Sequence, residues 1–237
     1  MTEGVTGHRI CCFGDSLVNG VRDAEKGGWP MRLGRRLINE AKREATIYNL
    51  GIRAETSEGL KARWKFEAEL RMVPEFPTIL MFSFGVNDAN HAEDRGEETT
   101  MRVSPGKSAT NAAEIIGEAS KLAPTLWIGP QAVIDGGKSS KDINERLEGL
   151  NQIYGETARG FGVPYLDVHA TTLADQDWQR ALRRGDGYHP DRAGYDRLAE
   201  LIWDWDGWRN AVVNTKRLNI EIHKTATAIC RIGDRTG

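Results

Sequence analysis

Acyl transfer through a covalent intermediate needs three kinds of group: a hydroxyl, a base to take its proton, and donors for the oxyanion that forms. The sequence offers a hydroxyl at Ser16, in Phe13-Gly14-Asp15-Ser16-Leu17, directly after the apolar run Ile10-Cys11-Cys12-Phe13. An apolar strand that breaks at a glycine holds such a hydroxyl at the carboxyl edge of a sheet, where open α/β sheets bind ligands. Alone, Gly-Asp-Ser is also ordinary turn chemistry. Three later blocks give it weight: Asn49-Leu50-Gly51, Gly85-Val86-Asn87-Asp88 and Asp186-Gly187-Tyr188-His189-Pro190. Two histidines compete for the base. His189 follows Asp186 by three residues, so a turn can set the carboxylate against the imidazole, fixing its tautomer and stabilising the imidazolium. His169, in Asp167-Val168-His169, has a carboxylate as near and also ends a strand-like run.

The elements that must position these residues are visible as periodicity. Short apolar runs at Ile10 to Phe13, Thr46 to Leu50, Thr78 to Phe84, Thr125 to Gly129 and Val163 to Val168 read as five strands. The unbroken hydrophobicity of Ile79-Leu80-Met81-Phe82 suits a strand covered on both faces. Between the runs lie amphipathic stretches. Trp29, Leu33, Leu37 and Ala41 recur at helical spacing, with Pro30 acceptable in a first turn. Ser57 to Arg71, Ser108 to Leu122, Asp142 to Arg159 and Asp191 to Trp208 read as four more helices. This alternation predicts an α/β/α three-layer sandwich, flavodoxin-like, around a five-stranded parallel sheet. Two segments without periodicity, Ala89 to Lys107 and Gln131 to Lys141, leave strand ends and are expected to rim the site, or to be plain surface loops.

Composition bounds the function. The chain of 237 residues accommodates one α/β domain, residues 1–208, with a C-terminal extension over 209–237. A net charge of −2 gives no nucleic-acid footprint. No basic segment followed by an apolar one opens the chain, and no stretch is apolar enough to cross a bilayer, so a cytoplasmic location is expected. Cys11 and Cys12 are adjacent on a strand and point to opposite faces, so three reduced thiols are expected. Scattered acidic residues, without a Cys cluster or His-x₃-His, make no metal site. The Gly14 turn lacks the lysine of a phosphate-binding loop. No cofactor is expected. The seven tryptophans sit mostly at helical spacing and read as core, Trp29 and Trp178 being the two whose exposure would suggest a carbohydrate platform.

The four blocks resemble the GDSL, or SGNH, hydrolase superfamily of esterases and lipases, over roughly residues 8 to 207. The four letters correspond here to Ser16, Gly51, Asn87 and His189. The resemblance selects His189 over His169 as base, with Asp186 orienting it, since Asp-x-x-His is the family pattern. Pro190, which favours an extended residue before it and a helix after it, fits the same choice. The resemblance also implies an oxyanion hole made of the Ser16 and Gly51 backbone N–H groups and the Asn87 side-chain amide. The implied activity is hydrolysis of a small-molecule ester, with short acyl or acetyl groups favoured because no extensive apolar lid is visible. Two alternatives stay open: an acyltransferase using the same triad, and a non-catalytic binding domain, against which the complete residue set argues. Asp15 and Asp88 read as structural, His91 as a loop histidine and Tyr188 as a residue that narrows the mouth or packs sideways. Oligomeric state is not legible. In the extension, Leu218, Ile220 and Ile222 alternate like a half-buried strand within a basic segment, which reads as either an added strand or a tail.

Overall fold

The computed structural model describes residues 7–91, 101–134 and 140–212. The strands are β1 (His8–Gly14), β2 (Ala45–Gly51), β3 (Thr78–Ser83), β4 (Thr125–Ile128) and β5 (Tyr165–Leu166). The helices are α1 (Ser16–Asn19), α2 (Gly28–Asn39), α3 (Ser57–Glu69), α4 (Val86–Ala89), α5 (Pro105–Leu122), α6 (Ser140–Gly160), α7 (His169–Ala174), α8 (Gln176–Arg184) and α9 (Arg192–Asp204). All strand pairs are parallel, in the order β2-β1-β3-β4-β5.

Alternation along the strands divides the core in two. Cys11, Phe13, Leu80, Phe82 and Trp127 point to one face, under α3, α5 and α6. Ile10, Cys12, Ile79, Met81, Leu126 and Ile128 point to the other, under α2, α8 and α9. Strands buried on both faces read as continuous apolar runs, which is why β1 and β3 were legible. Cys11 and Cys12 are both buried and free, each lodged in a different half of the core. Burial raises both thiols, Cys11 to about 12 and Cys12 also well up, so neither is a thiolate nucleophile at neutral pH.

This strand order reverses direction between β1 and β3. The carboxyl ends of those two strands therefore flank the crevice that doubly wound sheets use for ligands. Rigid aromatic packing supports both ends. Phe13 stacks on Phe82 at 5.4 Å, with the Trp64 ring edge-on to each. Phe84 stacks on Trp127 at 5.2 Å, and Tyr154 closes on both.

Some expectations from periodicity are corrected. Ala41 lies beyond the end of α2 and is exposed, and Leu70 caps α3 with two thirds of its surface in solvent. The final helix is interrupted at Trp205, and residues 206–212 are helical beyond it. The Gln131 to Lys141 segment begins as buried chain rather than a surface loop: Trp178 Nε1 donates to Ala132 O, and Ala132 N donates to Thr172 Oγ1. Leu218, Ile220, Ile222 and the third cysteine, Cys230, lie outside the described residues. Among the described residues, no helix is long and apolar enough to cross a membrane.

Candidate active site

The turn that carries Ser16 is set by its neighbours. Gly14 has φ 153°, and a Cβ there would lie 1.9 Å from the Ser83 carbonyl oxygen, so only glycine lets β1 leave the sheet beside β3. Asp15 then caps α1, its Oδ1 accepting from Leu17 N at 2.9 Å. Ser16 is the first residue of that helix, and among the described residues its backbone N–H has no protein acceptor. Asn49 anchors the turn from β2, its Nδ2 donating to Val18 O at 2.7 Å and to Gly27 O at 2.9 Å.

His189 arrives from the loop between α8 and α9. Asp186 Oδ1 accepts from Tyr188 N at 3.1 Å and from His189 N at 2.8 Å, a tight turn that returns the imidazole over its own carboxylate. His189 Nδ1 lies 2.9 Å from Asp186 Oδ2, and Nε2 lies 2.7 Å from Ser16 Oγ. Asp186 is an acceptor only when ionised, so Nδ1 carries the proton and Nε2 is left to accept the hydroxyl's. Burial pushes the Asp186 carboxyl up, but the His189 ring, the His189 N–H and the Tyr188 N–H outweigh it and hold the group below the usual range. Arg22 Nη1 stands 3.7 Å from Asp186 Oδ2 with half its side chain in solvent, a contact worth little by itself. Pro190 sits one residue before Asp191, which caps α9 by accepting from Ala193 N at 3.1 Å.

Asn87 lies in α4, just past β3, where Gly85 turns the chain at φ 121°. Its Nδ2 donates to Glu55 O at 3.0 Å, and its Oδ1 accepts from Arg102 Nη1 at 3.3 Å. The second N–H of the carboxamide has no partner among the described residues. Glu55 is itself fixed by Arg63, whose Nη2 donates to it at 2.5 Å and to Leu50 O at 2.7 Å.

Gly51 requires a correction. Its N–H donates to Asn49 Oδ1 at 3.1 Å, so the backbone donor that the sequence assigned to the oxyanion is already engaged. The glycine is needed instead for close packing: a Cβ there would stand 2.2 Å from Asn19 N. The loop that touches Asn87 is the next one along. In it Ala54 adopts φ 59°, its carbonyl accepts from Arg102, and among the described residues its N–H makes no hydrogen bond.

Two buried carboxylates support the site. Asp88 accepts from Ser57 N at 2.8 Å and from Ser108 Oγ at 2.5 Å, and Ser108 Oγ is 2.5 Å from Tyr154 OH. It therefore ties the Asn87 turn to the first turn of α3 and to α5 and α6, rather than capping its own strand end. Burial raises the Asp88 carboxyl despite the hydrogen bonds from Ser108 and Ser57. Asp15 is pushed up to about 7, chiefly by burial, with Asp88 and Glu55 adding to it and the Leu17 N–H opposing.

The competing residues are placed elsewhere. The Asp167 oxygens are taken by the His169 backbone N–H at 3.0 Å and by Asn151 Nδ2 at 2.9 Å. The His169 ring is buried, its Nε2 has no partner among the described residues, and burial lowers its pKa despite Asp167 and Glu148 nearby. His91 is held by a bridge to Met101 and by Arg146 Nη2, 3.3 Å from its Nε2. Tyr188 packs against the α3/α5/α6 side of the core, with its hydroxyl 3.5 Å from Asn90 Oδ1. Trp29 and Trp178 are fully buried, which removes the carbohydrate-platform idea for both. Among the described residues, no three His, Cys, Asp or Glu side chains converge as a metal site.

Residues 12–197 match the model of the GDSL-like lipase/acylhydrolase family. Solved structures share the fold. A lipase/acylhydrolase from Enterococcus faecalis is 23% identical, with a TM-score of 0.65 over 82% of this chain and 93% of that one. An acetylxylan esterase from Geobacillus stearothermophilus is 18% identical, with a TM-score of 0.66 over 86% of this chain and 98% of that one. Catalytic mutants of the latter alter a serine, an aspartate and a histidine, the last two being three positions apart. No curated protein matches the chain. The chain belongs to the GDSL-like lipase/acylhydrolase family and is a hydrolase acting on esters.

Proposed function

We propose that this hydrolase is a serine esterase that works through an acyl-serine intermediate, with Ser16 as nucleophile, His189 as base and then acid, and Asp186 as the group that orients His189. The observation that carries this reading is the continuous chain Ser16 Oγ, His189 Nε2, His189 Nδ1, Asp186 Oδ2, with links of 2.7 and 2.9 Å. The serine, aspartate and histidine altered in catalytic mutants of the acetylxylan esterase, with the same separation of the last two, support it.

In this mechanism Ser16 Oγ attacks the ester carbonyl carbon as its proton passes to His189 Nε2. The carbonyl oxygen takes the electron pair and is met by the Ser16 N–H and the free N–H of the Asn87 amide. A donor of this kind typically supplies about 3 kcal/mol of transition-state stabilisation. The backbone donor from the β2 side is assigned to Ala54 in place of Gly51, whose N–H is engaged. The tetrahedral intermediate collapses, the alkoxide leaves with the proton from His189, and a water repeats the sequence to release the acid. Asp186 stays ionised throughout and stabilises the imidazolium.

Short acyl groups, acetyl among them, are the proposed substrates. A panel of p-nitrophenyl esters of graded length, run beside acetylated sugars and with Ser16→Ala as control, tests this. Activity that peaks at long chains overturns the acyl preference. Product analysis with an added alcohol acceptor separates hydrolysis from acyl transfer.

A further inference from the structure

We propose that Arg102 is a positioning residue for Asn87, holding the side-chain amide in the one orientation that presents an N–H to the oxyanion. This inference rests on the serine esterase reading. Arg102 reaches Asn87 because the chain doubles back there. Met101 bridges His91 in antiparallel sense, Arg102 N donates to Asn90 O at 2.8 Å, and Val103 N donates to Asp88 O at 3.3 Å. The side chain is thereby returned over the α4 turn. Its Nη1 donates to Asn87 Oδ1 at 3.3 Å and its Nη2 to Ala54 O at 2.9 Å.

A guanidinium has donors only, so the carboxamide atom facing it must be the oxygen. The Glu55 carbonyl is an acceptor only, so the atom facing it must be the nitrogen. The two partners impose the same orientation. Because the carboxamide is planar, a flip would set both ends against the wrong partner at once, so Arg102 adds to the cost of turning the amide that the Glu55 carbonyl already sets. The same guanidinium holds Ala54, so the loop and the side chain on the two sides of the oxyanion move together. Its charge also polarises the carboxamide and strengthens the remaining N–H as a donor. Because Arg102 is exposed, water screens that charge, and the larger effect is orientation. Arg102 touches no reacting atom in this scheme and acts through Asn87.

The experiment is a double-mutant cycle between Asn87→Ala and Arg102→Met, with p-nitrophenyl acetate as substrate, and with Arg102→Lys as the conservative variant. Expected is a loss in kcat of about tenfold for Arg102→Met, with KM changed less than about twofold, as befits a group felt mainly in the transition state. Arg102→Lys keeps the charge, loses the fork, and is expected to fall between. In the Asn87→Ala background, Arg102→Met is expected to add nothing. Free guanidinium ion should restore part of kcat to Arg102→Ala and none to Asn87→Ala. An unchanged kcat, an effect confined to KM, or the same fold-loss with and without Asn87 overturns the proposal. If the loss follows a fall in melting temperature in both Arg102→Met and Arg102→Lys, the role is structural and the proposal fails. Ser16→Ala separates the two levels. If that variant stays active, the esterase reading itself falls. If turnover depends on Ser16 but not on Arg102, only this inference falls.

Discussion

His189 Nε2 lies 2.7 Å from Ser16 Oγ although 173 residues separate them in the chain. The contact is made by two independent local devices that meet at the switch point of the sheet. One is the Gly14-Asp15 turn at the end of β1. The other is the Asp186 turn ahead of α9, which orients His189 through backbone and ring at once. Ser16→Ala removes the proposed nucleophile without disturbing either device. A loss of kcat on the order of 10⁶ is expected, with an unchanged melting temperature. Labelling of the protein by a fluorophosphonate at any serine but Ser16 would refute the assignment.

The two histidines should separate cleanly. His189→Ala is expected to cost several orders of magnitude in kcat/KM, and Asp186→Asn nearly as much, because it leaves the imidazole without its ionised partner. His169→Ala should instead lower stability, by about 0.5–3 kcal/mol, since its ring is buried. Kinetics and urea unfolding on the three variants check this. An inactive but stable His169→Ala enzyme would move the base to the other strand end.

How far the sequence reaches depends on the range of the interaction. The convergence of Ser16, Asp186 and His189 was legible because each lies in a short local pattern, an apolar strand ending in Gly-Asp-Ser and an Asp-x-x-His turn. The strands β1 and β3 were legible because burial on both faces leaves an unbroken apolar run. Gly51 was misassigned because what engages its N–H is an Asn49 side chain two residues away, and a motif letter carries no orientation. Arg102 was missed because its partners, Asn87 and Ala54, are 15 and 48 residues distant and no periodicity links them. Helix α8 escaped because it is short and strongly charged, burying only Trp178, Ala181 and Leu182.

Asp15 gives the fold a pH dependence that runs against acid denaturation. Its carboxyl titrates near 7 in the folded protein, against 3.8 as the ordinary value. Between those two values the folded state binds more protons than the unfolded one, so stability from this group is complete below about pH 4 and is lost as pH rises through about 7. Asp15→Asn keeps an oxygen that can accept from Leu17 N and has no charge to bury. Its unfolding free energy, followed by urea melts from pH 4 to 8, should fall less with rising pH than that of the parent. Parallel curves would mean that Asp15 is ionised across the range.

The packed body extends past residue 208, where the sequence placed its boundary, and we propose that the hydrolase domain reaches at least Val212. Trp208 and Val212 are both buried against the α2 side of the core. Val212 O accepts from Arg43 Nη1 at 3.1 Å and lies 3.2 Å from His8 Nε2, joining this end to the start of β1. Removing residues 209–237 therefore deletes a core side chain, at about 1.5–3 kcal/mol for a valine of this burial, together with the acceptor of Arg43. Removing residues 213–237 deletes neither. The truncation after Trp208 should therefore melt several degrees lower than the one after Val212. A chain ending at 212 that is inactive, insoluble or altered in oligomeric state by light scattering would show that residues 213–237 are an integral part of the domain.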